Sequence, residues 1–261
     1  MNDSKIRKFI KSYLKKNRAL VRIYRRINWL KEVPFREYLD IKKMSLFFKI
    51  KPNYTMVSYR GLCNLYELAM LVEKNKMEGC FVECGVWRGG CAAVMAYVVR
   101  RFGSKRKIWL FDSFRGLPDP TENDGQWVRD AAGGNMREIF TNINWCLASR
   151  EDVIHIFSSL GLYDTNNIMI VEGWFQDTLP EFKNKVGPIA ILRLDCDWYE
   201  STKCCLGNLY NNVICGGYVI LDDYGSNEGC KKAADEFLNT QKINIPVLKQ
   251  ADEDCYYFQK P

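Results

Sequence analysis

The sequence predicts an α/β fold: a doubly wound, mostly parallel seven-stranded sheet closed by a C-terminal antiparallel hairpin, with a helical extension in front. Two observations carry this. From about residue 80 onward, short apolar runs alternate with stretches of helical spacing, the pattern of strand–helix units in a parallel sheet. Two of those runs also end in acids. Pro188-Ile189-Ala190-Ile191-Leu192-Arg193-Leu194 leads into Asp195-Cys196-Asp197, and Gly217-Tyr218-Val219-Ile220-Leu221 leads into Asp222-Asp223. Strands buried on both faces read as continuous apolar runs, and α/β sheets bind ligands at their carboxyl ends. Four acids at one edge repel one another unless a cation or proton lies between them.

The first element is a basic tail. Residues 1–32 hold eleven Lys and Arg against Asp3 and Glu32, so the net +7 of the chain belongs to this segment and the remainder is slightly acidic. Ile6, Phe9, Ile10, Tyr13, Leu14, Leu20, Val21, Tyr24 and Ile27 recur every three or four residues, which predicts an amphipathic helix with a basic opposite face. Packing on the domain, packing on a second subunit of a homodimer, and lying on the anionic inner face of a membrane all suit such a helix. The expected division is therefore a helical extension over 1–33, a helical connector capping the substrate side over 34–78, and the sheet domain over 79–261. Within the connector, residues 34–57 look poorly periodic, and Gly61 to Lys76 reads as a helix.

In the sheet domain, strands are expected at Cys80–Glu83, Ile108–Asp112, Ile168–Glu172, Ile189–Asp195 and Tyr218–Asp222. Helices are expected near Gly90–Phe102, Trp145–Leu160, Ser201–Val213 and Gly229–Thr240. Pro246-Val247-Leu248 and Cys255-Tyr256-Tyr257-Phe258 read as the hairpin. The Gly- and Pro-bearing stretch 118–135 reads as a lid loop.

Composition narrows the function. No apolar run reaches the roughly 18–20 residues that span a bilayer, and the N-terminus lacks the apolar stretch of a signal peptide, so a cytoplasmic protein is expected. A slightly acidic sheet domain argues against nucleic-acid binding. The eleven cysteines are odd in number, contain no C-x-x-C pair and lie mostly in apolar segments, as reduced thiols do. His155 is the only histidine, which disfavours a histidine-ligated metal and any catalytic triad not built on it.

Three constellations carry chemistry. Glu83-Cys84-Gly85-Val86-Trp87-Arg88-Gly89-Gly90 is a glycine-rich turn between a strand and a helix, where a ligand can approach the backbone, although a merely structural turn reads the same. Asp112, with Ser113 after it, ends the second strand, where an acid accepts hydrogen bonds from ribose hydroxyls or simply caps the next turn. Gly173, Trp174 and Phe175 follow the third strand, as an adenine platform or as plain core. Asp195, Asp222 and Asp223 can supply three oxygen ligands to Mg²⁺, with Asp197 free to face the substrate.

These residues resemble the macrocin O-methyltransferase family. The resemblance rests on the glycine turn, on Phe111-Asp112-Ser113-Phe114-Arg115-Gly116-Leu117-Pro118, on Glu172-Gly173-Trp174-Phe175-Gln176-Asp177-Thr178-Leu179-Pro180, on Leu194-Asp195-Cys196-Asp197-Trp198-Tyr199-Glu200-Ser201-Thr202 and on Gly216-Gly217-Tyr218-Val219-Ile220-Leu221-Asp222-Asp223-Tyr224, in that order over about residues 54–258. It implies a Rossmann-like class I methyltransferase fold and S-adenosylmethionine held by Glu83, Gly85, Val86, Asp112, Ser113, Gly173 and Trp174. It also implies Mg²⁺ on Asp195, Asp222 and Asp223, Asp197 as base, and an acceptor such as a sugar with vicinal hydroxyls. Two rivals follow from the residues. Asp195-Cys196-Asp197 is also the D-x-D of metal-dependent glycosyltransferases, and the basic tail suits an idle, membrane-docked interaction module.

Overall fold

The computed structural model of the 261-residue chain describes residues 29–30, 33–34, 38–126, 128, 146–241 and 248–261. In chain order these form α1 (Ile41–Ile50), α2 (Tyr59–Lys74), β1 (Cys80–Cys84), α3 (Gly90–Phe102), β2 (Ile108–Asp112), α4 (Arg150–Ser159), β3 (Ile168–Glu172), α5 (Phe175–Val186), β4 (Ile189–Leu194), α6 (Tyr199–Leu209), β5 (Val213–Leu221), α7 (Glu228–Thr240), β6 (Lys249–Gln250) and β7 (Tyr256–Gln259). The seven strands make one sheet in the order β3-β2-β1-β4-β5-β7-β6. The first five pair in parallel, and β7 and β6 add an antiparallel edge. This is the class I methyltransferase arrangement.

Residues alternate between the two faces of a strand, and each face of this sheet has its own core. One face sets Phe81, Ile108, Leu110, Ile191 and Ile220 against Phe47 and Ile50 of α1, Leu62, Leu65 and Ala69 of α2, and Met95 of α3. The other sets Val82, Phe111, Leu192 and Val219 against Leu179 of α5, Cys205 and Leu206 of α6, and Leu238 of α7. Trp29, at the end of the basic segment, packs edge-on against Phe48 and Tyr59, with centroids 5.4 and 5.8 Å apart. Residues 1–28, which carry the expected amphipathic helix, lie outside the described residues, as do part of the expected lid (127 and 129–135) and Pro246-Val247.

The structure adds two helices to those read from the sequence. α1 lies in the segment that looked like a connector; Asp40 caps it, its side chain accepting from Lys43 N at 3.0 Å, and Met44, Phe47 and Ile50 turn into the core. α5 follows β3 directly and contains Pro180, a residue that reads as a helix breaker. β5 begins five residues earlier than expected. The expected strand left out Gly216-Gly217, but the pair sits in an irregularity where Ile189 faces Val213 and Ile191 faces Tyr218. All eleven cysteines are free thiols.

The strand order reverses between β1 and β4, and the two strand ends touch there. Asp195 N donates to Cys84 O at 2.9 Å. A Cβ on Gly85, which has φ +85°, would lie 1.7 Å from the carbonyl oxygen of Asp195. No side chain fits. Replacing Gly85 with alanine is therefore expected to cost about 3 kcal/mol or more, from a left-handed backbone plus a backbone clash. Urea denaturation of G85A against wild type measures it, with an unchanged midpoint contradicting the contact.

Candidate active site

Ligands of open α/β sheets bind at the strand carboxyl ends where the order reverses. A cavity of about 270 Å³ opens there, and all eleven residues singled out in the sequence line it: Glu83, Gly85, Val86, Asp112, Ser113, Gly173, Trp174, Asp195, Asp197, Asp222 and Asp223. Its charge is one-sided among the described residues: Asp252 and Asp254 bring the lining carboxylates to eight, and none of the described lining residues is Lys or Arg.

The side of the cavity at β1 and β2 is set by hydrogen bonds within the chain. Asp112 Oδ2 accepts from Val86 N at 2.7 Å and Trp87 N at 2.9 Å, and its Oδ1 accepts from Phe114 N at 2.7 Å. The acid expected to meet a ribose thus also holds the glycine turn against β2. Burial pushes its carboxyl up despite these bonds. Ser113 Oγ is engaged in its own turn, accepting from Arg115 N at 3.1 Å. At the start of α3, Gly90 N donates to Tyr54 O at 2.9 Å, so this helix amide is already satisfied by the chain.

The acidic side gathers Asp195, Asp197 and Asp223, each with a carboxylate oxygen within 4.8 Å of the others. Asp222, expected among the ligands, lines the same cavity but has Oδ1 2.7 Å from Arg193 Nη2. Asp195 Oδ2 accepts from Arg193 Nη1 at 2.8 Å, and Asp223 Oδ2 accepts from Asp197 N at 3.0 Å. Asp197 is held least. Its carboxylate receives only a long contact from Asn227 Nδ2 at 3.4 Å, and its backbone sits in the left-handed region at φ 58°. Burial, then the charges of Asp195 and Asp222, push Asp197 up to about 7. Burial also pushes Asp222 up to about 7 against the pull of Arg193, and it raises Asp223 strongly.

Sequence reading missed three contributors. Arg193 is buried beneath the acids, and its signal was present, as a charge inside an otherwise apolar buried strand. The second is the Tyr54–Ser58 loop, which the hydrogen bond from Ser58 Oγ to Asp252 Oδ2 joins to the β6–β7 turn, making one wall of the cavity. No local pattern marked it, because the contact spans most of the chain. The third is Asp124, 1% exposed, whose Oδ1 accepts from Tyr199 N at 2.6 Å and pins the start of the 118–135 loop to the N-terminus of α6. His155 instead stacks on Tyr54, 6.3 Å between centroids, and does not line the cavity.

Comparison with known proteins agrees with this geometry. The family model described as Macrocin-O-methyltransferase (TylF) matches residues 47–260. The demethyldecarbamoylnovobiocin O-methyltransferase of Streptomyces niveus is 37% identical over 210 residues, covering 79% of this chain and 76% of that one. A Streptomyces olivaceus enzyme, 8-demethyl-8-(2,3-dimethoxy-alpha-L-rhamnosyl)-tetracenomycin-C 4'-O-methyltransferase, is 36% identical over 196 residues, covering 74% and 71%. Among solved structures, that of the O-methyltransferase NovP superposes with a TM-score of 0.68 at 37% identity, covering 79% of this chain and 82% of the other. These matches favour methyl transfer over the D-x-D glycosyltransferase reading. The chain belongs to the macrocin-O-methyltransferase family and is an S-adenosylmethionine-dependent O-methyltransferase.

Proposed function

We propose that this enzyme methylates a hydroxyl that has a vicinal hydroxyl partner, on a sugar of a natural product or glycan precursor, with the help of a divalent cation, Mg²⁺ in the cell. The observation that carries the reading is the cluster of Asp195, Asp197 and Asp223 within 4.8 Å at the strand ends, in a cavity whose described lining residues include eight carboxylates and no basic side chain. Oxygen donors of this kind suit a hard cation. Two relatives support the acceptor class, since one acts on a rhamnosylated tetracenomycin and another on the 3'' position of mycinamicin III.

The residues fit both absent groups. Glu83 Oε2 is buried without a hydrogen-bond partner at the cavity, and a cationic donor such as the amino group of S-adenosylmethionine would satisfy it. Asp112 uses three of a carboxylate's roughly four acceptor positions on backbone amides, which leaves one for a ribose hydroxyl. Gly85, Val86 and Ser113 shape that side of the cavity, and Gly173 and Trp174 form its wall beyond β3. Asp195 and Asp223 each accept a hydrogen bond from the chain through one oxygen, Asp222 pairs with the Arg193 charge through one, and these three would hold the cation. Bound there, the cofactor supplies the methyl group and the cation lowers the pKa of the acceptor hydroxyl.

What the chain itself does follows from its least anchored acid. Asp197 accepts the hydroxyl proton at its carboxylate as general base, a role suited to a group whose pKa lies near neutrality. Asp223 orients it by accepting from its backbone N–H. Trp198 Nε1 donates to Pro118 O at 3.0 Å and, together with Asp124, ties the base of the 118–135 loop to the start of α6, beside a site from which water must be excluded.

Asp197→Asn is expected to lower kcat by roughly 10²–10⁴-fold, the usual contribution of a general base. Calorimetry should show S-adenosylhomocysteine and Mn²⁺ still binding to it; loss of Mn²⁺ would make Asp197 a ligand instead. Removing the cation with EDTA should abolish turnover, with Mg²⁺ restoring it, and full activity in EDTA would exclude the metal. A pH dependence follows too. Asp197 and Asp222 titrate near 7 when folded, against about 3.9 for a free Asp, so the folded protein holds the extra protons. Metal-free protein should thus lose stability as pH rises from about 4 through 7. Thermal melts should show Mg²⁺ stabilising most above pH 7.

A further inference from the structure

Arg193 is 2% exposed and sits two residues before Asp195. Side-chain alternation places it on the face of Ile191, and the parallel register sets it beside Glu83 of β1 and Ile220 of β5. Two residues on from Ile220, Asp222 returns to the same face, as Asp195 does two residues on from Arg193. The guanidinium therefore lies beneath three strand ends at once. Its Nη1 is 2.7 Å from Glu83 Oε1 and 2.8 Å from Asp195 Oδ2, and its Nη2 is 2.7 Å from Asp222 Oδ1. Glu83 is itself 1% exposed.

We propose that Arg193 is the positioning residue of the cation site, holding Asp195 and Asp222 in their ligating arrangement and tying them to Glu83 on the cofactor strand. The inference rests on the reading that Asp195, Asp222 and Asp223 bind a divalent ion. A single positive charge among three carboxylates does not neutralise them, so Arg193 does not replace the ion. Structural cohesion alone does not call for it either, because apolar residues commonly replace a buried ion pair without loss of stability. What only an arginine offers is a planar fork whose two nitrogens address separate strands. Asp195 and Asp222 then each give one oxygen to the fork. Because Glu83 grips the same fork, the cofactor and cation sites share one rigid link, and occupancy of each alters affinity at the other by the same factor.

The test is Mn²⁺ binding to the full-length protein without cofactor, followed by electron paramagnetic resonance, with folding checked by circular dichroism. Arg193→Lys keeps the charge and loses the fork, and Mn²⁺ should bind it about tenfold or more weakly, the usual cost of removing a partner that orients metal ligands. Glu83→Gln should weaken Mn²⁺ about threefold in the wild-type background and leave it unchanged in the Arg193→Lys background, since Glu83 acts through the fork. Arg193→Lys binding Mn²⁺ within twofold of wild type overturns the proposal, as does an equal effect of Glu83→Gln in both backgrounds. If Arg193→Lys does not fold, Glu83→Gln alone decides, and an unchanged Mn²⁺ affinity overturns it. A wild-type protein that takes up no Mn²⁺, with or without S-adenosylhomocysteine, removes the metal reading itself, an outcome distinct from the others.

Discussion

The buried guanidinium of Arg193 is the constraint on which the rest of the site depends. Three carboxylates from three strand ends converge on it, Glu83 fully buried and Asp195 and Asp222 reaching the cavity. Desolvating such charges costs several kcal/mol for each ion, and their mutual attraction offsets this only where the hydrogen bonds are well formed. Here one cation serves three anions, so the edge remains negative. Burial and repulsion then raise the acids, to about 7 for Asp197 and Asp222. Among the described residues the site is left uncompensated, which suits the positively charged methyl donor.

Backbone contact makes the same junction rigid. The end of β1 meets the end of β4 with no space for a side chain at Gly85, so the glycine turn and the acids move as one body. Asp112 extends that unit by drawing Val86 and Trp87 against β2. On the far side, the Ser58–Asp252 bond closes the N-terminal helices against the C-terminal hairpin. The helices of residues 41–74 share the apolar core on one face of the sheet, so the wall they contribute is anchored by the same packing that stabilises the fold.

The central strands were legible because burial on both faces leaves a continuous apolar signature that few other elements produce. The two added helices show where that reading weakens. α1 has its cap and its apolar face, but Lys42, Lys43 and Lys49 dilute the periodicity, and only packing of Phe47 and Ile50 under the sheet settles it. α5 carries Pro180 within it, and burial of Leu179 and Val186 outweighs the local cost. Gly216-Gly217 similarly looked like a strand start, because pairing partners across an irregular register cannot be read from one strand.

The sequence by itself determined that acids would stand at the ends of two buried strands, beside a glycine turn, at the edge where such sheets bind ligands. Residue order is enough for that, since alternation and strand burial are local properties. Tertiary structure decided how the acids divide. Only the register of β1, β4 and β5 brings Glu83, Asp195 and Asp222 onto one guanidinium, leaving Asp197 loosely held beside Asp195 and Asp223. Which oxygen is tied down and which is free is a matter of distances between strands far apart in sequence, and no local pattern encodes it.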